Sequence, residues 1–234
     1  MKTDPAIGGN QILARLPKTQ YAGLFSQFKP VEFAVGQVLY EARATIDFAY
    51  FPTSGSLSAV VMMGDGSMIE VASIGNEGAV GLASTTSGSI SANRVFCQIA
   101  GDGLRIGAAA LEKEVRQGGP LKRFLTAYHS AFLFQVSQSV ACNGLHPVHQ
   151  RCCRWLLLTH DRVAGDEFKL THEFLAAMIG VRRPSVTEAL QALQDDGLIR
   201  YQRGNISIVD RAGLEKVACE CYQVVKDEFN RLLN

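Results

Sequence analysis

The stretch from Leu170 to Arg203 constrains the fold most, because it carries start and stop signals for two short helices. Thr171 is predicted to cap the first helix, since its hydroxyl can accept a hydrogen bond from a free amide of the first turn. Gly180 is predicted to end that helix in a left-handed conformation. Pro184 fits the first position of a second helix, where its missing N–H leaves no hydrogen bond unmade. Proline also disfavours the helical region for Arg183, which we therefore expect to be the cap.

Apolar residues recur at helical spacing in both predicted helices. In the first helix they are Phe174, Leu175, Met178 and Ile179, and in the second Val186, Ala189, Leu190 and Leu193. Ser185, Thr187, Glu188 and Gln191 are predicted to lie on the outward side of the second helix. The segments LIRYQ and ISIVD follow, joined through residues 203–205, and predict a two-stranded wing. This is the layout of a winged helix-turn-helix, whose second helix would enter a DNA major groove by its N-terminal end.

Residues 31–106 have a different character, with short runs of Val, Ile, Phe and Tyr separated by turn residues. Gly64, Asp65 and Gly66 form a hairpin signal, because such residues accept positive φ angles. Many short strands at close spacing indicate a small barrel or jelly roll. We therefore expect an α+β protein in which a β-roll precedes the helical part.

A long helix is predicted from Pro120 to Asn143, after a shorter helix that ends at Gly118. Its apolar residues recur at steps of four and three, as in a heptad seam. Members of this seam are Leu121, Leu125, Tyr128, Phe132 and Val136. The pattern alone fits a coiled-coil helix between two chains and a core helix within one chain equally well. Another helix is predicted to begin at Pro147, and Asp210 is predicted to cap one last helix that runs to the C-terminus.

Composition predicts a packed globular protein, with 47% hydrophobic and 19% charged residues among 234. The net charge is only +1, so a DNA-binding surface would have to concentrate its basic residues locally. Arg182 and Arg183 at the predicted turn, and Arg200 and Arg203 in the predicted wing, meet this condition. The sequence shows neither a membrane-length apolar run nor the apolar core of a signal peptide. We therefore expect a cytoplasmic protein whose six cysteines stay reduced.

The order of β-roll, long helix and winged helix-turn-helix resembles the Crp–Fnr family of bacterial transcription regulators, over residues 28–210. The strongest likeness lies in LTHEFLAAMIGVRRPSVTEALQALQDDGLI, and TSGSLSAVV and MIEVASIGNEGAVGL are similar to the cyclic-nucleotide-binding-like β-roll. The resemblance implies a sensor domain at 1–118, a dimerisation helix at 119–144 that uses the heptad seam, and a DNA-binding domain at 145–234. It also implies a homodimer on twofold-symmetric promoter sites, with RNA polymerase as a further partner. We expect no enzymatic activity, because no nucleophile elbow or P-loop occurs.

The family's DNA contacts carry over where residues match. Arg183 matches an arginine that reads guanine, a task that suits its two-pronged side chain. Glu188 matches a polar base- or backbone-contacting position, and Ser185 matches a residue that holds phosphate. Arg182, Thr187, Gln191 and Arg203 complete the expected DNA-binding set. Pro184 stands where relatives often carry glutamate, so the target sequence does not carry over.

The β-roll departs from the cyclic-AMP-binding relatives, which hold the cyclic phosphate with an Arg-Ser/Thr pair. That pair falls near Ser91 and Ala92 here, and only Arg94 is available, displaced from the expected place. A phosphate needs a fixed cation, so the sequence argues against cyclic AMP. Glu77 and Arg94 remain the predicted effector-pocket residues. A ligand-sensing module with weak or vestigial DNA-binding output is the alternative function.

Other cofactors are also not expected from the sequence. No cysteine precedes Cys97, which argues against an N-terminal iron–sulfur cluster, and no histidine precedes His129, which argues against a haem ligand in the β-roll. His149 and Cys153 share a predicted helix face but provide at most two ligands, whereas zinc requires four, or three and water. Cys219 and Cys221 lie two positions apart on the predicted last helix, so they would not share a face. We therefore predict no metal site.

Overall fold

The computed structural model describes residues 8–82 and 89–233 and confirms the predicted α+β class. The described residues form two compact units. The first lies within Met1–Ala59, Ser73–Phe132 and Phe229–Asn234, and the second within Val60–Ala72 and Leu133–Glu228. Among the described helices, none is both long and apolar enough to cross a membrane.

In the part of the chain that the structure describes, two short helices come first and seven strands follow. Their bounds are α1 Gln11–Ala14, α2 Ala22–Phe25, β1 Lys29–Phe33, β2 Val38–Tyr40, β3 Phe48–Pro52, β4 Ser56–Met62, β5 Met68–Ile74, β6 Arg94–Ile99 and β7 Gly101–Gly107. One sheet has the order β1-β7-β3, and the other has the order β2-β6-β4-β5. In the first sheet Leu104 lies opposite both Pro30 and Phe51 in antiparallel register. Two sheets of short strands agree with the β-roll expected from the turn-rich sequence.

The core of the first unit joins the sheets to helices before and after them. Phe28 packs its ring edge-on against Phe51, with ring centroids 5.4 Å apart. Asn10 is fully buried, caps α1, and donates its side-chain amide to the carbonyls of Pro52, at 2.9 Å, and Gly78, at 2.8 Å. A buried amide is stabilised when its donors are all paired, so Asn10 fixes the first helix on the sheet.

Two further helices follow, α3 Ala108–Arg116 and α4 Gly119–Leu145, close to the predicted bounds. The seam predicted along α4 faces the chain's own core. Leu121, Leu125 and Tyr128 are at most 2% exposed there, and Phe132 packs against the same cluster. Val136 is half-buried. The chain's own core thus covers Leu121, Leu125 and Tyr128, and the role of the seam at a dimer interface stays a prediction, because heptad spacing identifies an apolar face but not the surface that covers it.

The second unit contains the predicted helix-turn-helix. Its elements are α5 Val148–His160, β8 Glu167–Lys169, α6 His172–Ile179, α7 Arg183–Asp195, β9 Ile199–Gln202, β10 Asn205–Ile208, α8 Arg211–Val217 and α9 Cys221–Leu233. The wing is a three-stranded sheet of order β8-β10-β9, in which Ile206 lies opposite both Phe168 and Tyr201. The sequence predicted two strands, because the short polar segment around β8 lacks a strand pattern of its own.

The last helix predicted from the sequence is two helices in the structure. Asp210 caps α8 as predicted, since its carboxylate accepts from the amide of Gly213 at 2.9 Å. Ala218, with φ −60° and ψ 151°, then leaves the helical region, and α9 begins at Cys221. The prediction of one continuous helix is wrong because no proline or glycine marks this break in the sequence.

Candidate DNA-binding site

Helix α6 and the turn after it are built as the sequence predicts. The Thr171 hydroxyl accepts from the amide of Phe174 at 3.1 Å. Gly180 has φ +65°, and the amide of the next residue, Val181, donates to the carbonyl of Ala176 at 3.0 Å. A side chain on Gly180 would be strained by this φ, and its Cβ would also lie 2.5 Å from Cδ1 of Ile69. The φ angle is the reason that the turn requires glycine, since the end of the flexible Ile69 side chain can move away.

Helix α7 begins one residue earlier than predicted. Arg182 is its cap, with extended angles of φ −75° and ψ 145°, and Arg183 is the first helical residue. Pro184 thus occupies the second position. A proline is tolerated there as well, because the first four amides of a helix have no acceptor within the helix. Proline biases the preceding residue away from the helical region without excluding it, so Arg183 joins the first turn.

The predicted inner and outer faces of α7 are both present. Val186, Ala189, Leu190 and Leu193 are buried, as predicted from their spacing. On the other side, Arg182, Arg183, Thr187, Glu188 and Gln191 are exposed, and Ser185 is half-buried. The structure therefore brings six of the seven predicted DNA-binding residues together along one recognition helix and its cap.

Arg183 forms an ion pair with Glu173 across the turn, with Nη1 and Oε1 2.9 Å apart. The two side chains are 64% and 60% exposed. Such exposed pairs contribute only about 0–1 kcal/mol, so a nucleic-acid base could replace the carboxylate as the partner of Arg183 at small cost. The pair holds the guanidinium near the start of α7 in the free protein.

His172 links three elements of this surface and was not singled out from the sequence. Its Nδ1 lies 2.8 Å from the Thr187 hydroxyl, and its ring centroid lies 4.6 Å from that of Tyr201 in the wing. The Thr187 hydroxyl in turn donates to the carbonyl of Arg183 at 3.2 Å. Burial lowers the pKa of His172, and the positive charge of Arg183 lowers it further. A neutral imidazole therefore joins α6, α7 and β9, and no sequence pattern marks a lone histidine for such a role.

The wing ends in a two-residue turn of positive φ, with Arg203 at +49° and Gly204 at +82°. This geometry matches the right-handed twist of the paired strands. The wing is also fixed to its surroundings, since the amide of Leu170 donates to the carbonyl of Gly204 at 2.9 Å. Arg203, the seventh predicted DNA-binding residue, is exposed at this tip, and Arg200 is exposed on β9.

Arg151 on α5 stabilises the helix-turn-helix, and this role was also not predicted from the sequence. It is 6% exposed, and its Nη2 donates to the carbonyl of Ile179 and, at 2.9 Å, to Oδ1 of Asn143. The carbonyl of Ile179 belongs to the last residue of α6, where carbonyls have no partner within the helix. One buried guanidinium therefore caps α6 and connects it to α4.

A cavity of about 230 Å³ lies in the first unit. Tyr128 and His129 line it, and so do Ser91 and Ala92, where the family's phosphate-binding pair was expected. Over residues 8–82 and 89–233, no lysine or arginine is among the lining residues. Residues 83–88, which precede Ser91 and Arg94 in the sequence, lie outside the described residues.

The two predicted effector residues do not line this cavity. Oε1 of Glu77 accepts from the amide of Gly75 at 2.9 Å, within its own turn. Arg94 lies 3.6 Å from the carboxylate of Glu41. The structure thus does not bring Glu77 and Arg94 together at the cavity, because each is engaged by a neighbour on its own side of the fold.

The fold and the site define a class of protein, a β-roll followed by a winged helix-turn-helix that presents an exposed recognition helix. The family model of the Crp-like helix-turn-helix domain matches residues 150–217. No curated protein sequence matches the chain. The second unit therefore carries a Crp-like DNA-binding domain.

Solved structures of Crp/Fnr regulators share the fold along most of the chain. A Crp/Fnr-family transcriptional regulator from Eubacterium rectale is 18% identical, with a TM-score of 0.71, covering 90% of this chain and 98% of its own. FixK2 from Bradyrhizobium japonicum is 17% identical, with a TM-score of 0.70, covering 82% and 98%. A Crp-family regulator from Thermus thermophilus is 22% identical, with a TM-score of 0.65, covering 80% and 96%. The likeness to these structures shows that the chain has the predicted fold, and the family model shows a Crp-like helix-turn-helix domain at residues 150–217.

Proposed function

We propose that this chain regulates transcription by binding a twofold-symmetric DNA site as a homodimer. The observation that carries the proposal is the exposed N-terminal half of α7, which is held by a capped turn and a fully buried apolar face. Six predicted DNA contacts converge there, and the wing adds Arg203. A rigid helix with an exposed polar N-terminal half is the part that helix-turn-helix proteins insert into the major groove.

Each side chain has a role that its chemistry supports. Arg183 reads a guanine through two parallel hydrogen bonds, and Glu188 accepts from a cytosine amino group. Ser185, Arg182 and Arg203 hold phosphates, which positions the helix without reading sequence. Thr187 and Gln191 complete the surface along the groove. The net charge of +1 makes these local arginines the main electrostatic attraction to DNA.

We place the dimer seam on the face of α4 that the chain's own core leaves uncovered. Exposed residues recur there at steps of four and three: Thr126, Ser130, Leu133, Ser137, Val140 and Gly144. Leu133 is 65% and Val140 68% exposed. The Ser130 and Ser137 hydroxyls donate to carbonyls one turn earlier, at 3.3 and 3.0 Å, so they can face a partner helix without an unmade hydrogen bond. This uncharged stripe fits a second copy of the same helix.

The functional division follows from these assignments: a sensor domain at 1–118, a dimerisation helix at 119–144 and a DNA-binding domain at 145–234. Binding to promoter DNA places the protein in the cytoplasm and makes RNA polymerase a further partner. The proposed activity is regulation and not catalysis.

A second function is favoured by the cavity of about 230 Å³ beside His129. In that alternative the β-roll binds a small ligand and the DNA-binding output is weak. Cyclic AMP does not suit the described lining, which lacks a cation for the phosphate, and haem or an iron–sulfur cluster is not part of the proposal. A ligand would change DNA binding only if it bound two arrangements of the protein with different affinity.

A mobility-shift titration at several salt concentrations tests DNA binding directly. We expect a sequence-dependent shift and a steep loss of affinity with salt, because phosphate contacts release counterions. Arg183→Ala should relax the sequence preference at one base pair of each half-site, while Arg116→Ala, the same charge change on α3, should leave the preference intact. Binding that is indifferent to sequence and to salt would refute the proposal. A ligand-dependent protein with no DNA affinity would favour the alternative.

A further inference from the structure

Three thiols and one imidazole converge in the second unit, away from the recognition helix in sequence. They belong to Cys142, His146, Cys219 and Cys221, and all four ligand atoms lie within 4.8 Å of one another. The sulfurs of Cys142 and Cys219 are 3.5 Å apart. The sulfur of Cys221 is 3.5 Å from Nδ1 of His146. All three cysteines are free thiols, and each is at most 4% exposed.

The backbone explains why these residues meet. Cys142 and His146 are four positions apart on α4, so they lie on one face of that helix. In a continuous helix Cys219 and Cys221 would point apart, which is why the sequence argued against a shared site. The extended residue Ala218 breaks the helix before them and brings both thiols to the end of α4. This break has no proline or glycine to cause it.

Two of the six distances among the four ligand atoms are close to those of a tetrahedral metal site, and all six lie within 4.8 Å. With zinc–sulfur bonds of about 2.3 Å and zinc–nitrogen bonds of about 2.0 Å, tetrahedral edges are about 3.8 Å between sulfurs and about 3.5 Å between sulfur and nitrogen. The two measured edges, both 3.5 Å, agree within a few tenths of an ångström. Three soft thiolates and one imidazole select zinc over hard cations such as magnesium or calcium. We propose that Cys142, His146, Cys219 and Cys221 bind one zinc ion in a closed structural site.

The groups around the cluster also suit a metal. Nε2 of His146 lies 3.3 Å from Oε1 of Glu220, so Nδ1 is left for the ion. A carboxylate on the second nitrogen is the usual orienting partner of a metal-bound histidine. Gln138 donates to the Cys221 sulfur at 3.1 Å, as an amide does to a thiolate. Three thiolates and Zn²⁺ carry one net negative charge, and the buried guanidinium of Arg154, 7% exposed, is near enough to offset it.

Two buried cysteines on α5, Cys152 and Cys153, lie outside the cluster and contribute to the packing of the core. Burial raises the pKa of Cys152 and of Cys153 to about 12, which keeps them as neutral thiols. Neither sulfur belongs to the group formed by Cys142, His146, Cys219 and Cys221.

A zinc ion here would join the last turns of α4 to the junction between α8 and α9. These elements enclose the DNA-binding domain in sequence, so the metal would stabilise that domain in the way small zinc-binding domains are stabilised. Chelation or oxidation of the thiols would then loosen it. The inference stands on the cluster alone and does not depend on which DNA sequence the protein binds.

The first test is the metal content of the full-length protein purified without chelators. We expect about one zinc per chain, in keeping with a four-ligand structural site. Cys142→Ser and Cys219→Ser should lose the zinc, and Cys97→Ser, which changes a buried cysteine of β6, should retain it. The proposal would be overturned if the purified chain contained no metal or contained iron in place of zinc. It would also be overturned if both cluster variants retained zinc.

A second test uses the unchanged protein, so that a variant that fails to fold cannot hide the answer. Cobalt added after zinc removal should produce the sulfur-to-cobalt charge-transfer absorption and the visible bands of a tetrahedral site. The absence of these bands, or a disulfide between Cys142 and Cys219 in protein kept under reducing conditions, would contradict a zinc site.

A third test concerns the role of Glu220. Glu220→Gln should weaken the affinity for zinc about 10-fold in competition with a chelator. Asp227→Asn, on the exposed side of α9, should not, and equal affinities in the two variants would remove the proposed role of Glu220.

Discussion

Arg183→Ala gives the sharpest test of how α7 reads DNA. A two-pronged arginine–guanine contact is worth about 1–3 kcal/mol of discrimination at one base pair. In the free protein Arg183 gives up only the exposed pair with Glu173, worth at most about 1 kcal/mol. Each protomer supplies one Arg183, so the variant should lose about 5-fold to 150-fold in affinity for each half-site that it contacts in the preferred duplex. It should lose almost nothing for a duplex in which that base pair is changed in both half-sites.

Fluorescence anisotropy on the preferred duplex and its single-base variants, repeated over a salt series, separates the roles of two arginines. Arg183→Ala should leave the salt dependence nearly unchanged, whereas Arg203→Ala should weaken binding to all duplexes alike and lower the salt slope by about 1 for each half-site. Glu173→Gln frees Arg183 and should strengthen binding by up to about 5-fold, the value of the exposed pair. If Arg183→Ala weakens every duplex equally and lowers the salt slope, Arg183 holds a phosphate and the assignment is refuted.

Three other predictions concern the dimer, the support beneath α6 and pH. Leu133→Glu should turn the proposed dimer into a monomer in sedimentation velocity, because a charge replaces an apolar side chain in the proposed seam. Arg151→Ala should lower the free energy of unfolding by about 1–3 kcal/mol in urea titrations, because the Ile179 carbonyl loses its buried partner. Burial lowers the pKa of His129, so the unfolded chain binds more protons and stability should fall as the pH drops below about 6.5. His129→Gln should flatten that decline in urea midpoints measured across the same range.

Matched variants show whether each effect has the stated cause. Leu145→Glu places the same charge on the same helix outside the seam and should remain dimeric, so a monomer would contradict the seam. Arg116→Ala removes an exposed guanidinium and should change the unfolding free energy by less than about 0.5 kcal/mol. An unchanged urea unfolding midpoint in Arg151→Ala would show that the Ile179 carbonyl has another hydrogen-bond partner. A decline with acid that persists in His129→Gln would assign it to other groups.

Signals within a few residues predicted the helix-turn-helix accurately. Thr171 caps α6 and Gly180 ends it because each depends only on hydrogen bonds and angles of the adjacent turn. The buried stripe of α7 followed from spacing alone. Pro184 fixed the start of α7 only to within one residue, since proline is tolerated at more than one position of a first turn.

Features that depend on distant residues could not be predicted in this way. The seam containing Leu121 and Tyr128 was visible as a face, but only the folded chain shows that the first unit's core covers it. The roles of His172 and Arg151 arise from partners on other helices and in the wing. Cys142 and Cys219 are 77 positions apart and meet through an unmarked helix break. Sequence separation of this kind hides a cluster until the tertiary structure brings it together.

Selection of bound DNA from random oligonucleotides, using the full-length protein, tests sequence-specific binding by a dimer most directly. We predict enrichment of a twofold-symmetric sequence whose half-sites lie one helical turn apart, about 34 Å between centres. Arg183→Ala should retain the spacing and relax one base pair in each half-site. Recovery of unenriched DNA, or of a single unpaired half-site, would contradict the account.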